Sequence, residues 1–397
     1  GYNSRIQPAS LVDLQQVWTA FENFDAKNDT DIDLNDKYLS EGIKLARKEF
    51  GGRKGELLRP LDLYEVIENM KLNTSAGLTA MGCKKVETIE YALTRAEQIL
   101  RREKKPRPCL AGIRTQQKDD GRNYKNLQEV KLFYKGKTRL VWMYPFEMTI
   151  IEGMFAIALI DMFKKRKTPM TIGVRKGILG GRIHNEVETR KYIYALDYSK
   201  FDSTISSKFI KCAFRILKTN FGQFDDVQKE AWSRVVNYFL ETTIVMPDGY
   251  LYVGKKHGVP SGSFFTQLID SVVNCILVGA LSARFGLSLN RRYFMVLGDD
   301  LLLSTMKKLP LKQIELFLAK YGIIAHEDKC GTKTHYLGAY WKNGIPTRPL
   351  KEVLSKMRFP ENYRKYSEDP RVRASQVHLI KVAYSSCYWN LPEKLIY

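Results

Sequence analysis

The sequence predicts an α+β fold in which helices surround a small set of β-hairpins. Apolar residues recur at helical spacing through much of the first hundred residues, for example over residues 11–21. Residues 292–304 form two apolar runs separated by Gly298, Asp299 and Asp300, which is typical of a buried hairpin that turns at the glycine. The 397 residues, 44% of them hydrophobic, contain no internal repeat, so we expect the segments to interlock around a large core.

The chain is strongly basic. It has 64 lysine and arginine residues against 43 aspartate and glutamate residues, for a formal net charge of +21. This charge is spread along the sequence, which favours nucleic acid over a membrane surface, although a soluble basic protein without such a partner is the alternative. The longest apolar stretches, residues 150–163 and 268–283, contain acidic residues, so we expect no transmembrane segment. The N-terminus lacks the apolar core of a signal peptide.

The N-terminal third is predicted to be mainly helical. Apolar spacing indicates helices over residues 57–70 and 87–103. A glycine-rich break at residues 51–55 separates the first helical segments, and small residues at 72–78 indicate a loop.

A basic hairpin is predicted next. Residues 130–142 alternate in polarity around a turn at Lys135 and Gly136. The basic residues of this region are Arg114, Lys131, Lys135, Lys137 and Arg139. A charged hairpin is often only a solvated edge, but basic and aromatic residues interleaved in this way also suit phosphate binding. The sequence pattern leaves both interpretations open.

A short apolar strand is predicted at residues 192–197, after a helix at residues 146–164. The strand ends in Asp197. A carboxylate at the end of a rigid strand emerges at the rim of a sheet, where a metal site can form. Asp202 follows closely and is either a second functional acid or the N-cap of the next helix.

The middle of the chain alternates helices and turns. Helices are predicted over residues 209–221 and 228–239, and a second hairpin turns at residues 247–249. Residues 258–263 form a loop of small residues. A largely apolar helix follows over residues 264–281.

This apolar helix carries polar residues that need partners. Asp270 and Asn274 are four residues apart and therefore share one face. A buried polar group without a partner costs about 1–3 kcal/mol, so these residues either satisfy each other or meet a ligand. At the hairpin tip, Asp299 and Asp300 would repel each other unless a cation lies between them, which suggests a metal site.

The C-terminal third is predicted as a helix, a strand, a hairpin arm and a mainly helical basic tail, at residues 311–321, 323–329, 334–341 and 350–397. His326, Cys330 and His335 lie close together in this region and admit a zinc site. No Cys-x-x-Cys pair accompanies them, which weakens that interpretation.

In their order along the chain, these pieces resemble the motifs of viral RNA-dependent RNA polymerases. The first three palm motifs are matched by DYSKFD at 197–202, GVPSGSFFTQ at 258–267 and GDD at 298–300. The other motifs are matched by EDK at 327–329, YLG at 336–338, KTRL of the fingers at 137–140 and TSAG of the template entry at 74–77. The sequence of the second motif is most similar to that in the polymerases of partitiviruses and picobirnaviruses, which are small double-stranded RNA viruses.

The resemblance implies a right-hand polymerase, an α+β fold with an antiparallel palm sheet and mainly helical fingers and thumb. An N-terminal extension and the fingers would occupy residues 1–187, and the palm residues 188–207 and 257–349. A fingers insertion would occupy residues 208–256. Residues 350–397 would form a thumb that is short or truncated, which leaves open whether initiation needs a primer.

The resemblance also implies two-metal nucleotidyl transfer. Asp197 and Asp299 would bridge two Mg²⁺ ions, with Mn²⁺ as a possible substitute, and Asp300 would lie near the second ion. Lys329 resembles the lysine that protonates the leaving pyrophosphate, and a plain surface lysine is the alternative.

The NTP site implied by the resemblance draws on several motifs. Its residues are Arg114, Lys137, Arg139, Asp202, Ser261, Gly262, Thr266, Asp270 and Asn274. Thr74, Ser75 and Gly77 would bind the template. Asp270 stands where positive-strand virus polymerases usually carry the asparagine that contacts the ribose, so Asp270, Ser271 and Asn274 are all candidates for that role.

The implied function is RNA synthesis from NTPs on an RNA template, during transcription and replication of a double-stranded RNA virus. The partners would be the RNA template, the product duplex, NTPs and, as a further candidate, the viral capsid protein, with no membrane. The expected location is the virion interior or the host cytoplasm. A reverse transcriptase and a catalytically silent basic RNA-binding protein are the alternatives.

Overall fold

The computed structural model describes residues 12–116, 136–327 and 330–349, together with Glu352, residues 369–371, residues 374–375 and His378. Lys329, the first arm of the hairpin predicted at 130–142 and almost all of the predicted helical tail lie outside the described residues.

The described residues belong to two compact units, whereas the sequence suggested one. The first unit lies within Gly1–Glu22, Ile113–Leu140 and His335–Tyr397. The second lies within Asn23–Gly112 and Val141–Thr334. Each unit combines segments that are far apart in the sequence.

The α-helices of the described residues lie mostly in the second unit. They are α1 (Leu14–Glu22), α2 (Lys37–Phe50), α3 (Leu63–Asn69), α4 (Ile89–Leu100), α5 (Phe146–Lys165), α6 (Lys176–Arg182), α7 (Phe201–Thr204), α8 (Ser207–Lys218), α9 (Asp226–Glu241), α10 (Thr266–Phe285) and α11 (Leu311–Ala319). The predicted helices at 87–103, 146–164, 209–221, 228–239, 264–281 and 311–321 are confirmed, with ends shifted by a few residues.

The strands form small sheets. They are β1 (Cys109–Gln116), β2 (Lys137–Met143), β3 (Tyr192–Leu196), β4 (Tyr198–Ser199), β5 (Ile244–Val245), β6 (Leu251–Tyr252), β7 (Phe294–Leu297), β8 (Asp300–Thr305), β9 (Ile324–Ala325), β10 (His335–Tyr336), β11 (Ala339–Lys342) and β12 (Ile345–Thr347). The sheet orders are β2-β1-β5-β6, β10-β11-β12, β3-β8-β7 and β4-β9. The hairpin predicted around residues 247–249 is confirmed by the antiparallel pair of β5 and β6.

The antiparallel sheet β3-β8-β7 positions the acids that the sequence singled out. β7 and β8 pair up to Leu297 and Asp300, so their turn consists of Gly298 and Asp299. Gly298 has φ 64°, in the left-handed region that favours glycine. The predicted hairpin is confirmed. Because β3 runs antiparallel to β8 and ends one residue before Asp197, the two strands bring Asp197 and Asp300 to the same end of the sheet.

Helix α3 is shorter than the sequence predicted. The apolar spacing extended over residues 57–70, but the helix begins at Leu63. Pro60 restricts the residue before it to extended backbone. Asp62 and Glu65 then form a capping box that fixes the first turn.

Two strand predictions near the C-terminus need correction. In the described part of the stretch expected as a strand over 323–329, the strand is β9, which pairs with β4. The single arm expected over 334–341 is two strands, β10 and β11, which pair with each other. Leu337 and Gly338 reverse the chain between them with φ values of 51° and 70°. The apolar Leu337 had suggested one continuous strand.

Helix α10 is buried and crosses α2 at close range. A Cβ atom on Gly42 of α2 would overlap the carbonyl oxygen of Ile276 in α10. A Cβ atom on Gly279 would lie 2.6 Å from the Cα of Gly42. The two backbones therefore touch, and only glycine fits at these positions.

By length and composition, α10 is also the one helix in the described ranges that could span a membrane. However, 78% of its most apolar window is buried inside the protein. Its polar residues Asp270 and Asn274 are buried as well. The apolar surface of α10 thus forms part of the core of the second unit.

Replacing Gly42 with Ala should destabilise the crossing of α2 and α10. The added methyl group must push the two backbones apart, so we expect the free energy of unfolding to fall by roughly 1–3 kcal/mol. Gly177→Ala is the matched control, because a Cβ atom there meets open space on α6. That control should leave stability unchanged or raise it by up to about 1 kcal/mol. Urea unfolding of both variants measures the difference, and equal stabilities would contradict the close contact.

Candidate active site

Three carboxylates meet at the end of the β3-β8-β7 sheet. Asp197 follows β3, Asp299 lies at the exposed tip of the turn, and Asp300 begins β8. Burial raises the pKa of Asp300 to about 6, and the neighbouring charges of Asp299 and Asp197 add to this effect. The sheet thus places Asp197 and Asp299 close enough to Asp300 for their charges to disfavour its ionised form.

Asp270 and Asp202 form a second carboxyl pair beside them. Asp270 is 3% exposed, and its Oδ1 atom has no hydrogen-bond partner among the described residues. Burial raises the pKa of Asp270 well above its usual value, as do the charges of Asp202 and Asp299 and a side-chain hydrogen bond with Asp202. One proton shared by the two carboxyl groups would relieve this repulsion.

Asp202 is not a helix cap. It is the second residue of α7, whose N-cap is Lys200. The N-cap alternative is therefore wrong. The backbone carbonyl of Asp202 accepts a hydrogen bond from the N–H of Val259 at 2.7 Å, which ties the first palm motif to the loop of the second.

Ser271 and Asn274 bind the backbone of the acidic turn. The Ser271 hydroxyl accepts a hydrogen bond from the Gly298 N–H at 2.9 Å. The Asn274 amide donates to the carbonyl oxygens of Gly298 at 3.1 Å and of Asp300 at 3.5 Å. Of the three residues that the sequence left as candidates, only Asp270 faces Asp202, while the other two face the turn.

A buried lysine holds the first end of the loop at residues 258–263. Lys255 donates from Nζ to the carbonyl oxygens of Phe239, Leu240 and Gly258 at 2.5, 3.0 and 3.0 Å. Burial lowers the pKa of Lys255 to about 7. The ammonium group joins the last turn of α9, whose carbonyl groups have no partners within the helix, to the first residue of the loop.

The other end of the loop is held by a buried glutamate. Glu152 of α5 accepts hydrogen bonds from the Ser263 hydroxyl at 2.7 Å and from the Phe264 N–H at 2.8 Å. Burial raises the pKa of Glu152 to about 8, although both hydrogen bonds oppose the increase. The hydroxyl of Thr266 donates to the Pro260 and Ser263 carbonyls, so this predicted NTP ligand also closes the loop.

Between these two anchors, Ser261 and Gly262 are exposed. The Ser261 hydroxyl accepts a hydrogen bond from the Trp142 N–H at 3.3 Å. A Cβ atom on Gly262 would overlap the Trp142 carbonyl oxygen, so the position requires glycine. The loop thus presents an exposed Ser-Gly pair on a fixed base.

The predicted template-binding residues form a second braced loop. The Thr74 hydroxyl and the Ser75 carbonyl accept hydrogen bonds from the buried Lys85 ammonium at 2.7 and 2.9 Å. Gly77 has φ 62°, and a Cβ atom there would lie 2.6 Å from the Tyr144 carbonyl oxygen. Thr74 and Ser75 are exposed despite these bonds.

The predicted triphosphate ligands belong to the first unit. Lys137 and Arg139 lie on the exposed face of β2, and Arg114 is exposed on β1. The carboxylates belong to the second unit. Binding of NTP by these basic residues stays a prediction, as does the role of Lys329.

No three side chains of His, Cys, Asp or Glu in the described ranges are arranged to hold a metal ion by themselves. The zinc interpretation of His326, Cys330 and His335 is therefore wrong. Mg²⁺, in contrast, is usually held by one or two carboxylates together with substrate phosphates and water. Asp197, Asp299 and Asp300 present carboxylate oxygens at one end of the sheet, and these fit this mode of binding.

The chain matches the family model described as viral RNA-dependent RNA polymerase over residues 9–388. The chain belongs to this family. The resemblance stated from the motifs is thereby confirmed.

Relatives of this family member include polymerases of several viruses. It is 27% identical over 339 residues to the RNA-directed RNA polymerase of Cryptosporidium parvum virus 1, covering 81% of this chain and 61% of the relative. It is 24% identical over 291 residues to that of White clover cryptic virus 1, covering 63% of this chain and 46% of the relative. The chain thus spans about three fifths of the first relative's length.

Solved structures of the family share its fold. The insertion-loop deletion mutant of the RNA-dependent RNA polymerase of a human picobirnavirus matches with a TM-score of 0.72 at 19% identity. The match covers 96% of this chain and 74% of the other. It confirms the predicted α+β polymerase fold class.

Sequence reasoning missed three residues of the site: Glu152, Tyr198 and Lys255. Tyr198 donates a hydrogen bond to Asn274. Glu152 did leave a signal, because an acid that interrupts an apolar helix needs a partner. Nothing in the local pattern distinguishes Lys255 from a surface lysine, since its three acceptors are assembled only by tertiary structure.

Replacing Glu152 with Gln tests whether this buried group is neutral. Gln can accept from the Phe264 N–H and donate to the Ser263 hydroxyl, so it copies the protonated acid. The folded-state pKa of about 8 exceeds the unfolded value. Wild-type stability that comes from this group is therefore complete below pH ~4.3 and is lost as the pH rises through about 8. Between about pH 6 and 8.5, we expect the free energy of unfolding of wild type to fall by about 2 kcal/mol relative to that of Glu152→Gln.

Urea unfolding of both proteins across this pH range measures the difference. Glu152→Ala is the control, because it removes both hydrogen bonds and should be less stable at every pH by roughly 1–3 kcal/mol. A wild-type minus Gln difference that does not change with pH would show that Glu152 is charged throughout.

Proposed function

We propose that this chain catalyses template-directed RNA synthesis from NTPs on an RNA template. The observation that carries the proposal is the delivery of Asp197 and Asp300 to one end of a sheet by neighbouring strands, with Asp299 at the adjoining turn. Membership of the viral RNA-dependent RNA polymerase family supports it. The family also favours this function over the alternatives of a reverse transcriptase and a silent RNA-binding protein.

Asp197, Asp299 and Asp300 would hold two divalent cations. When bound, Mg²⁺ or Mn²⁺ neutralises the charge that develops on the attacking 3′ oxygen, the α-phosphate and the leaving pyrophosphate. The carboxylates need cationic partners because burial and mutual repulsion otherwise raise the pKa of Asp300 to about 6. The triphosphate would supply the coordination that the protein side chains leave incomplete.

Asp202 and Asp270 would recognise the ribose. Asp270 is buried and Asp202 is half-buried beside it, and Asp270 has an oxygen without a partner in the described structure. With one proton between them, the two carboxyl groups keep oxygen lone pairs that can accept a hydrogen bond from a 2′ hydroxyl. We assign the ribose role to Asp270 and not to Asn274, whose amide is bound to the turn.

The remaining predicted ligands would complete the site. Arg139, Lys137 and Arg114 would neutralise the triphosphate, and Lys329 would protonate the leaving pyrophosphate. Ser261 and Gly262 would contact the nascent base pair from their anchored loop. Thr74, Ser75 and Gly77 would guide the template strand.

In the virus, the reaction would serve transcription and replication of a double-stranded RNA genome. The partners would be template RNA, the product duplex and NTPs, with a capsid protein as a further partner, inside the virion or in the host cytoplasm. The net charge of +21 suits the phosphate backbones of these nucleic acids.

Asp299→Asn should abolish RNA synthesis without unfolding the protein. Asn is isosteric but lacks the charge that a bridging metal ligand needs, so we expect a loss on the order of a thousandfold, equivalent to about 4 kcal/mol. The assay is incorporation of labelled NTP on a single-stranded RNA template with Mg²⁺ or Mn²⁺, followed by sequencing of the product.

Asp226→Asn is the matched control, since it makes the same change at an exposed acid on α9. It should retain wild-type synthesis. Synthesis by Asp299→Asn at the control rate would remove Asp299 from the chemistry. A product that does not complement the template would contradict template direction.

Asp202→Ala should relax discrimination between NTP and dNTP. Loss of this carboxylate removes the acceptor for the 2′ hydroxyl, so we expect the ratio of NTP to dNTP incorporation to fall about tenfold or more. Single-turnover incorporation of each nucleotide measures the ratio. An unchanged ratio with normal folding would exclude Asp202 from ribose recognition.

A further inference from the structure

We propose that Asn274 is a positioning residue that joins the two carboxylate-bearing segments of the active site, with Ser271 as its partner. This inference rests on the proposed function, because it assigns the two segments their catalytic task. Asn274, Ser271, Tyr198 and Gly298 together are called the turn clamp below.

Asn274 connects the residue after Asp197 with the residue before Asp299. Its Oδ1 accepts a hydrogen bond from the Tyr198 hydroxyl at 3.3 Å. Its Nδ2 donates to the carbonyl oxygen of Gly298 at 3.1 Å. One fully buried side chain therefore links the first residue of β4, directly after Asp197, to the turn between β7 and β8.

Ser271 completes the hold on Gly298. Its hydroxyl, also fully buried, accepts from the Gly298 N–H at 2.9 Å. The side chains of Ser271 and Asn274 are three residues apart on α10 and lie on one face. Both polar groups of the Gly298 backbone are thus bound by the same helix, which fixes the peptide planes on either side of the glycine.

The turn clamp carries no charge, which suits its position among the carboxylates. The carboxylates around it already repel one another. Lysine or arginine in its place would pair with these carboxylates and compete with the divalent cations. Amide and hydroxyl groups fix the backbone and leave the carboxylates to the metal.

The alternative role for Asn274 is direct contact with the ribose, as the resemblance implied. The hydrogen bonds of its side chain oppose that role. The amide donates to the carbonyls of both Gly298 and Asp300, and Oδ1 accepts from Tyr198. To reach a ribose, Asn274 would have to break contacts that its buried amide cannot replace with water.

Three single variants weaken the clamp to different degrees: Asn274→Ala, Ser271→Ala and Tyr198→Phe. Tyr198→Phe removes one hydroxyl and keeps the ring that stacks on Phe201 at 4.8 Å. The controls are Asn237→Ala on α9 and Tyr250→Phe, which is 71% exposed. They make the same chemical changes outside the site. If Asn274→Ala fails to fold, Tyr198→Phe and Ser271→Ala carry the test.

The first readout is Mn²⁺ binding to the full chain without NTP, measured by calorimetry. We expect each clamp variant that folds to bind Mn²⁺ about tenfold more weakly than wild type, because the carboxylate segments lose their fixed separation. Hydrogen–deuterium exchange of peptides that cover residues 294–303 should be faster in the same variants. Both controls should match wild type.

The second readout separates positioning from ribose contact. If Asn274 is a positioning residue of the turn clamp, kcat for NTP should fall about ten- to a hundredfold in Asn274→Ala. KM should change less, and the ratio of NTP to dNTP incorporation should be unchanged. In the Asn274→Ala background, Tyr198→Phe should have no further effect, since its hydroxyl has lost its partner.

Two results would overturn the proposal. A changed NTP to dNTP ratio with unchanged Mn²⁺ affinity would make Asn274 a ribose ligand. If the clamp variants had the same Mn²⁺ affinity and exchange rates as the controls, the turn clamp would have no role in positioning the carboxylates. A wild type that binds Mn²⁺ but makes no RNA would instead refute the proposed function alone, because the binding and exchange readouts would still test the clamp.

Discussion

Repulsion between carboxylates is the constraint that organises this structure. Asp197, Asp202, Asp270, Asp299 and Asp300 influence one another at one end of the β3-β8-β7 sheet. Without a cation, their like charges oppose the folded state, and the burial of Asp270 and Asp300 adds to this cost. The surrounding fold must therefore supply enough stability to keep the acids together.

The supporting hydrogen bonds are divided according to charge. Close to the carboxylates, the supports are neutral: Ser271, Asn274 and the backbone of Gly298. Ionisable supports occur at the loop of the second palm motif, where Lys255 and Glu152 hold opposite ends. Each of these two groups is buried among carbonyls, hydroxyls and N–H groups, so the loop is braced without an ion pair next to the substrate site.

Much of this site could be predicted from the sequence, because its key signals are local. A glycine followed by two acids between apolar strands predicts the hairpin tip, and an apolar strand that ends in Asp197 predicts a carboxylate at a sheet rim. The order of the motifs along the chain then predicts the family. These features depend on neighbours in sequence, which a single sequence displays.

The partners of buried groups could not be predicted, because they come from distant segments. Glu152 and Ser263 are 111 residues apart, and Tyr198 and Asn274 are 76 apart. The wrong predictions arose instead from local sequence patterns that fit more than one structure. Pro60 delayed the start of a predicted helix, and Leu337 resembled part of a strand. Nearby His and Cys residues suggested a zinc site that tertiary structure does not assemble.

The contact between Gly42 and α10 gives the N-terminal region a mechanical part in the site. Helices are usually separated by a layer of side chains that can change rotamer and absorb small movements. At this crossing the layer is missing, so α2 and α10 must shift together. Asp270, Ser271 and Asn274 all lie on α10. Helix α2 contributes no carboxylate to the site. It nevertheless supports α10 rigidly and so helps to fix the spacing of the acids.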